Sequence, residues 1–155
     1  TNMNTARAVT KIVDGSKSAS SDGFYFTGSQ TVTSSSYIRF QLSAARCFTG
    51  CRIWNDENND SAGHGYWKWQ GSNDGTNWTD LGSSFQLINT GIPSTPGYDT
   101  FDGGLGSNTT NYTYYQMAGV SGTADSNSNW MEWEFESGTA SPGKETQLHG
   151  WAVNY

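Results

Sequence analysis

Three polar stretches of this 155-residue chain set flat side chains beside amides and acids. Tyr25 lies in an aromatic patch at 24–26. Asn55, Asp60 and His64 lie in a polar run at 55–65. Asn127, Asn129 and Trp130 lie at 122–130. Rings that offer apolar area, joined by a few convergent polar groups, are the materials of a small-molecule pocket. A sugar suits such a pocket, because its C–H face lies on rings and its hydroxyls meet planar polar groups. Singly, each residue has a plainer reading. An Asn-rich loop is ordinarily a solvated loop. His64 stands between two glycines, as surface histidines do, and Trp130 can open a strand and pack on its rim. Clustering of the three stretches at one end of the fold would favour a site.

Catalytic chemistry finds less support. A nucleophile needs a base and an orienting group, and neither His64 nor His149 has a nucleophile motif nearby. Two cysteines spaced by three residues, with distant histidines, do not form a zinc pattern. Glu132 and Glu134 share one face of a strand, ~7 Å apart by strand rise, and read as a solvated face. The expectation is a protein that is not an enzyme.

The stretch "GSNDGTNWTDLGS" at 71–83 is richer still in polar groups. It makes sense as turn chemistry alone. Asp side chains bond their own backbone, and glycine takes positive φ without steric cost. On this reading Trp69 and Trp78 pack on the core from the two arms of a hairpin.

These residues need a scaffold, and the composition describes one. Only 14% of residues are charged, while 19 are glycine and 22 are aromatic (7 Trp, 8 Tyr, 7 Phe). Long helices need residues that keep rotamer freedom, and few are present; strands and turns use this mixture well. "YIRFQL" alternates, with Ile38, Phe40 and Leu42 on one side. "YWKWQG" and "WMEWEFE" alternate too, and "FTGCRIW", "SSFQLINTG" and "YTYYQMAGVSG" read as further strands. "IPSTPGYDTFDGGLGSN" reads as a long loop. The predicted core is Ile38, Phe40, Leu42, Ile53, Trp67, Trp69, Met131, Trp133 and Phe135. The fold class is all-β, a sandwich of short strands and long loops.

Net charge is −6, and the eight Lys and Arg are scattered. Phosphate neutralisation needs a basic stripe, so nucleic acid is not an expected partner. No apolar run reaches the ~18 residues of a membrane span, so membrane insertion is not expected either.

In order and spacing, "IVDG", "YIRFQL", "FTGCRIWND", "YWKWQGSNDGTNWTDLG", "YTYYQMAGVSG" and "WMEWEF" resemble the discoidin, or coagulation-factor type C, domain family. The likeness is to its bacterial and phage branch of carbohydrate-binding modules and covers roughly residues 8–136. It implies a jelly-roll β-sandwich of the galactose-binding-like type. It also implies that the "SNDG" turn is scaffold and that ligands meet loops at one end of the sandwich. A structural Ca²⁺ is implied near the "DG" turn, with Asp14 and Glu132 at matching positions. Ser20 and Asp22 are the nearby oxygen donors that a hard cation wanting ~6–8 oxygens would use. The family's usual "T-W" pair is missing there.

The expected function is non-catalytic glycan binding at a cell surface, on a secreted enzyme or on a phage tail. The alternative is a structural subunit of a virion, fibre or extracellular filament. Residues 1–136 are expected to form the sandwich, and 137–155 a linker followed by an extra strand. Leu148, Trp151, Val153 and Tyr155 give that strand apolar surface that must be covered. It can pair with its own sheet edge, such as the one beside "ARAVT", or self-associate with a neighbouring subunit. In an extended strand, Cys47 and Cys51 would lie ~13 Å apart, too far for a disulfide, which would need a tight turn at Phe48–Gly50. Buried free thiols are expected. Sequons occur at Asn59, Asn77, Asn108 and Asn111.

Overall fold

Alternation of apolar and polar residues builds the long strands. The computed structural model describes residues 24–25, 30–55, 65–86, 97–101, 104–124, 129–138 and 148–154. In chain order the strands are β1 (Phe24–Tyr25), β2 (Gln30–Thr31), β3 (Tyr37–Arg46), β4 (Phe48–Asn55), β5 (Tyr66–Ser72) and β6 (Thr79–Asp80). They continue as β7 (Phe85–Gln86), β8 (Gly97–Phe101), β9 (Tyr112–Ser121), β10 (Thr123–Ala124), β11 (Asn129–Ser137) and β12 (Leu148–Asn154). A short 3-10 turn, Leu105–Ser107, lies between β8 and β9.

The strands form a six-stranded sheet ordered β12-β3-β9-β5-β6, with β7 also on β5. A four-stranded sheet is ordered β1-β11-β4-β8, and β2 and β10 form a separate pair. All the pairings are antiparallel. Such sheets bury one face and wet the other, which is why their strands alternate.

The two larger sheets meet through aromatic rings. Phe40 on β3 lies 5.6 Å from Trp133 and 4.9 Å from Phe135 on β11. Trp69 on β5 meets the same two rings edge-on, at 6.1 and 5.6 Å. Phe48 on β4 stacks on Phe135 at 4.6 Å and meets Tyr115 of β9 at a tilt, also at 4.6 Å. Tilted and edge-to-face pairs of this kind add to the area each ring removes from water. This is a β-sandwich, the all-β class the sequence predicts. Of the predicted core, Ile38, Phe40, Leu42, Trp67, Trp69 and Trp133 are buried, and Phe135 is partly buried against them. The side chains of Ile53 and Met131 lie outside the described residues.

A polar clamp closes one end of the core. The Tyr115 hydroxyl donates to the Arg46 carbonyl at 2.7 Å and accepts from the Phe48 amide at 3.0 Å. It also accepts from Asn108 Nδ2 at 3.1 Å, and that amide donates to the Phe48 carbonyl at 3.0 Å. One buried side chain thus satisfies the backbone where β3 turns into β4. Desolvation by burial raises the Tyr115 pKa. Asn108 of the third sequon is buried in this clamp.

Two expectations need correction. The segment 92–108, read as a loop, contains β8, which pairs with β4 from Cys51↔Phe101 to Asn55↔Gly97. Glycine and aspartate lower intrinsic strand preference, but a neighbouring ladder overrides it. Trp78 does not join the core: it is half-buried, and its ring lies 4.5 Å from the Arg39 guanidinium on the outer side of the six-stranded sheet. Of "SSFQLINTG", the described strand is Phe85–Gln86.

The C-terminal segment pairs within the chain. β12 runs antiparallel to β3, from Leu148↔Leu42 to Asn154↔Tyr37. The "ARAVT" segment proposed as its neighbour lies outside the described residues.

Candidate functional site

Register draws the separated stretches together. On β11, Asn129 stands opposite Tyr25 of β1, and Trp130 opposite Phe24. Trp130 also stands opposite Asn55 of β4, and Asn55 opposite Gly97 of β8. Directly opposed residues in antiparallel strands have Cα atoms ~4.5–5.5 Å apart. Tyr25, Asn55, Asn129 and Trp130 therefore share one end of the four-stranded sheet at the backbone level. Asp60, His64 and Asn127 lie outside the described residues, in the stretches 56–64 and 125–128 that adjoin Asn55 and Asn129.

Core contacts show which end this is. Phe48, at the start of β4, packs on Tyr115, and Trp133, three residues from Trp130, packs on Trp69. Moving along β4 from Phe48 to Asn55 thus parallels moving along β9 from Tyr115 toward Ser121. The start of β5 belongs to the same end, because Tyr66 pairs with Ser121. There, Tyr66 is 44% exposed and Val120 41% exposed, the exposed large hydrophobic side chains among the described residues. Sequence reasoning missed Tyr66. The available signal was its place directly after the 55–65 stretch, on the face opposite Trp67 and Trp69.

The "SNDG" turn stands at the opposite end. Ser72 pairs with Tyr114, and Asn73 Oδ1 accepts from the Thr113 amide at 2.9 Å. Within the turn, Asp74 Oδ1 accepts from the amides of Thr76 and Asn77 at 2.8 and 2.7 Å. Its Oδ2 accepts from Asn77 Nδ2 at 2.7 Å, and Ser72 Oγ donates to Oδ1 at 3.0 Å. The hydrogen bonds from Asn77 lead those that hold the Asp74 pKa far below its ordinary 3.8. Gly75 adopts φ +71°, which closes the turn without strain. A carboxylate so fully bonded to its own loop is scaffold, as the resemblance implies.

The implied calcium ligands are only partly in view. Glu132 lies on β11 opposite Trp54; Asp14, Ser20 and Asp22 lie outside the described residues. Among the described residues no three of His, Cys, Asp and Glu gather closely enough to hold a metal ion. Neither cysteine is in a disulfide; Cys51 is buried and Cys47 half-buried. Burial, with Glu136 and Glu134 nearby, pushes the Cys51 thiol pKa well up and suppresses thiolate reactivity. No described helix is long and apolar enough to cross a membrane.

No protein-family model matches the chain, and no curated protein matches it. Solved structures do resemble it. One is a CBM32 of AlyQ in complex with 4,5-unsaturated mannuronic acid, with 20% identity, 81% of this chain and 83% of that one covered, and a TM-score of 0.49. A second is CpGH89CBM32-6, produced by Clostridium perfringens, with 15% identity, coverage of 87% and 88%, and a TM-score of 0.43. A third is a pectin-binding carbohydrate-binding module, with 13% identity, coverage of 85% and 81%, and a TM-score of 0.31. The chain's own strand pairing and core contacts make it an all-β antiparallel sandwich.

Proposed function

We propose that this protein is a non-catalytic glycan-binding module that takes its ligand at the Asn55–Trp130 end of the sandwich. One observation carries the reading. The register places Tyr25, Asn55, Asn129 and Trp130 together, and these came from three stretches singled out for their chemistry alone. Exposed Tyr66 adds an aromatic surface at the same end. Rings that support a sugar's C–H face and amides that meet its hydroxyls are what such a site requires. The module would act outside the cell, on a secreted enzyme, a cell surface or a phage tail.

A glycan panel tests this, followed by titration of the best neutral oligosaccharide. Trp130→Ala and Asn129→Ala are expected to lose at least ten-fold in affinity while keeping the wild-type melting temperature. A panel with no ligand, or variants that bind as tightly as wild type, overturns the reading.

Structural Ca²⁺ at Asp14, Ser20, Asp22 and Glu132 belongs to the same proposal. An ion that binds only the folded state stabilises it by mass action. Chelation should lower the melting temperature, and Glu132→Gln should abolish that response. A melting curve indifferent to chelator removes calcium from the account.

A further inference from the structure

The outer face of the six-stranded sheet carries a polar ladder across four strands. Arg39 on β3 pairs with Gln116 on β9, Gln116 with Gln70 on β5, and Gln70 with Asp80 on β6. The side chains follow the register. Arg39 Nε and Nη2 both donate to Gln116 Oε1, at 3.0 and 2.9 Å. Gln116 Nε2 donates to Gln70 Oε1 at 2.6 Å, and Gln70 Nε2 to Asp80 Oδ1 at 2.6 Å. Lys68 completes the far end with an ion pair to Asp80 at 2.8 Å.

Arg39 is the unusual member. Its guanidinium lies 4.5 Å from the centroids of both Tyr37 and Trp78, so two rings flank it. The group it donates to is a neutral amide, and none of the described carboxylates pairs with it. The charged group nearest along the ladder, Asp80, is taken up by Lys68 and Gln70. On the other side, the β12 residue opposite Arg39 is Ala152, whose type brings no charge and no hydrogen bond. Nη1 and the second Nη2 hydrogen therefore have no acceptor among the described residues. A planar cation is held in place by stacking and by one amide oxygen, with a donor edge left over. That edge matches two coplanar oxygens.

We propose that Arg39, with Tyr37 and Trp78, forms a second subsite on this face, for the carboxylate of a uronic-acid residue in an acidic glycan. The rings that hold the guanidinium also offer apolar edges to the sugar. The positive charge answers the ligand's negative one on a chain that is otherwise acidic, with a net charge of −6. The inference rests on the glycan-binding reading but uses a different surface, in mid-sheet rather than at the loop end.

The test titrates an oligogalacturonate, its carboxyl-reduced counterpart and a sulfated neutral oligosaccharide against the whole chain. The oligogalacturonate should bind at least ten-fold more tightly than either comparator. Arg39→Gln should remove that preference, and so should Arg39→Lys, which keeps the charge but loses the planar fork. Melting curves on both variants confirm that they fold, and the binding of a neutral glycan should be unchanged in both. Equal binding of the reduced or sulfated oligosaccharide overturns the carboxylate assignment. Oligogalacturonate binding that survives Arg39→Gln but is lost in Asn129→Ala overturns this subsite and leaves the loop-end site standing. Neutral glycan binding lost in Asn129→Ala, with oligogalacturonate binding lost only in the Arg39 variants, supports both.

Discussion

The two faces of the six-stranded sheet are built from the same strands in the same register, yet they are held by different forces. Inward, Ile38, Phe40, Trp67, Trp69, Tyr115 and Met117 are fully buried. Apart from the Tyr115 clamp, this face depends on packing. Trp69 Nε1 is buried with no hydrogen-bond partner among the described residues, and shape has prevailed over satisfaction at that atom. Outward, Arg39, Gln116, Gln70, Asp80 and Lys68 form a chain of bonded polar groups. Gln116 is itself only 6% exposed although it lies on the outer face, because the side chains beside it cover it. Burial on the inner face follows from apolar area removed from water, which is strong and non-directional. On the outer face it follows from directional bonds that have merely replaced bonds to water. The inner face should therefore set the stability and the outer face the specificity.

Truncating the inner face should break this contrast most severely. Trp69→Ala removes the ring that meets both Trp133 and Phe135, and should cost about 3–5 kcal/mol. Chemical denaturation would read this as a fall in midpoint with little change in slope. An effect near zero would mean that the sheets do not meet through this ring.

Tyr115→Phe sharpens the comparison by removing one oxygen and no apolar area. The Phe48 amide loses its buried acceptor and Asn108 loses one of its two, so the cost should be about 1–3 kcal/mol. A neutral result would show that water or local relaxation supplies the missing bonds.

Acid should act on the outer side. Asp74 and Asp80 both have carboxyls depressed from 3.8, Asp74 chiefly through Asn77 and Asp80 chiefly through Lys68. A depressed carboxyl stabilises the fold above its unfolded pKa, and that contribution fades as pH falls toward its folded value. The melting temperature should therefore decline as pH drops below about 4. Asp74→Asn should lower it at neutral pH and flatten the decline. An unaltered acid slope in the variant would assign the loss to other groups.

The smallest effect should come from Lys68→Ala. The pair is open to solvent, with the two side chains 31% and 52% exposed, and such pairs contribute about 0–1 kcal/mol. A loss above about 2 kcal/mol, measured by denaturation, would contradict the division between the two faces.

How much of this was legible in the sequence differs from element to element. Alternation at 37–42, 66–70 and 131–135 gave strand, face and core together, because a period of two leaves one face to bury. The Asn-Asp-Gly turn was legible because the bonds made by its carboxylate are local, from Asp74 to Ser72, Thr76 and Asn77. Strand β8 was not legible, since Gly97 and Asp99 give little strand preference and only the ladder with β4 makes them extended. Trp78 was placed on the wrong face for the same reason. Nothing within the turn says whether its ring finds the core or Arg39, which is far away in sequence.

The candidate sites divide along the same line. Residue type alone marked Tyr25, Asn55, Asn129 and Trp130 as sugar-binding material, and it did not single out Arg39, which looked like an ordinary outward strand residue. Only the pairing of β1, β11 and β4 brings the first group to one sheet end. Tyr37 flanks Arg39 from two positions back on the same strand, but only the β3–β9–β5 pairing lets Trp78, reaching in from the β5–β6 turn, supply the second ring. The sequence by itself determined what is encoded over a few residues, namely strand period, turn chemistry and composition. Tertiary structure decided which distant residues are neighbours, because cross-strand register is a long-range choice made by the whole core at once.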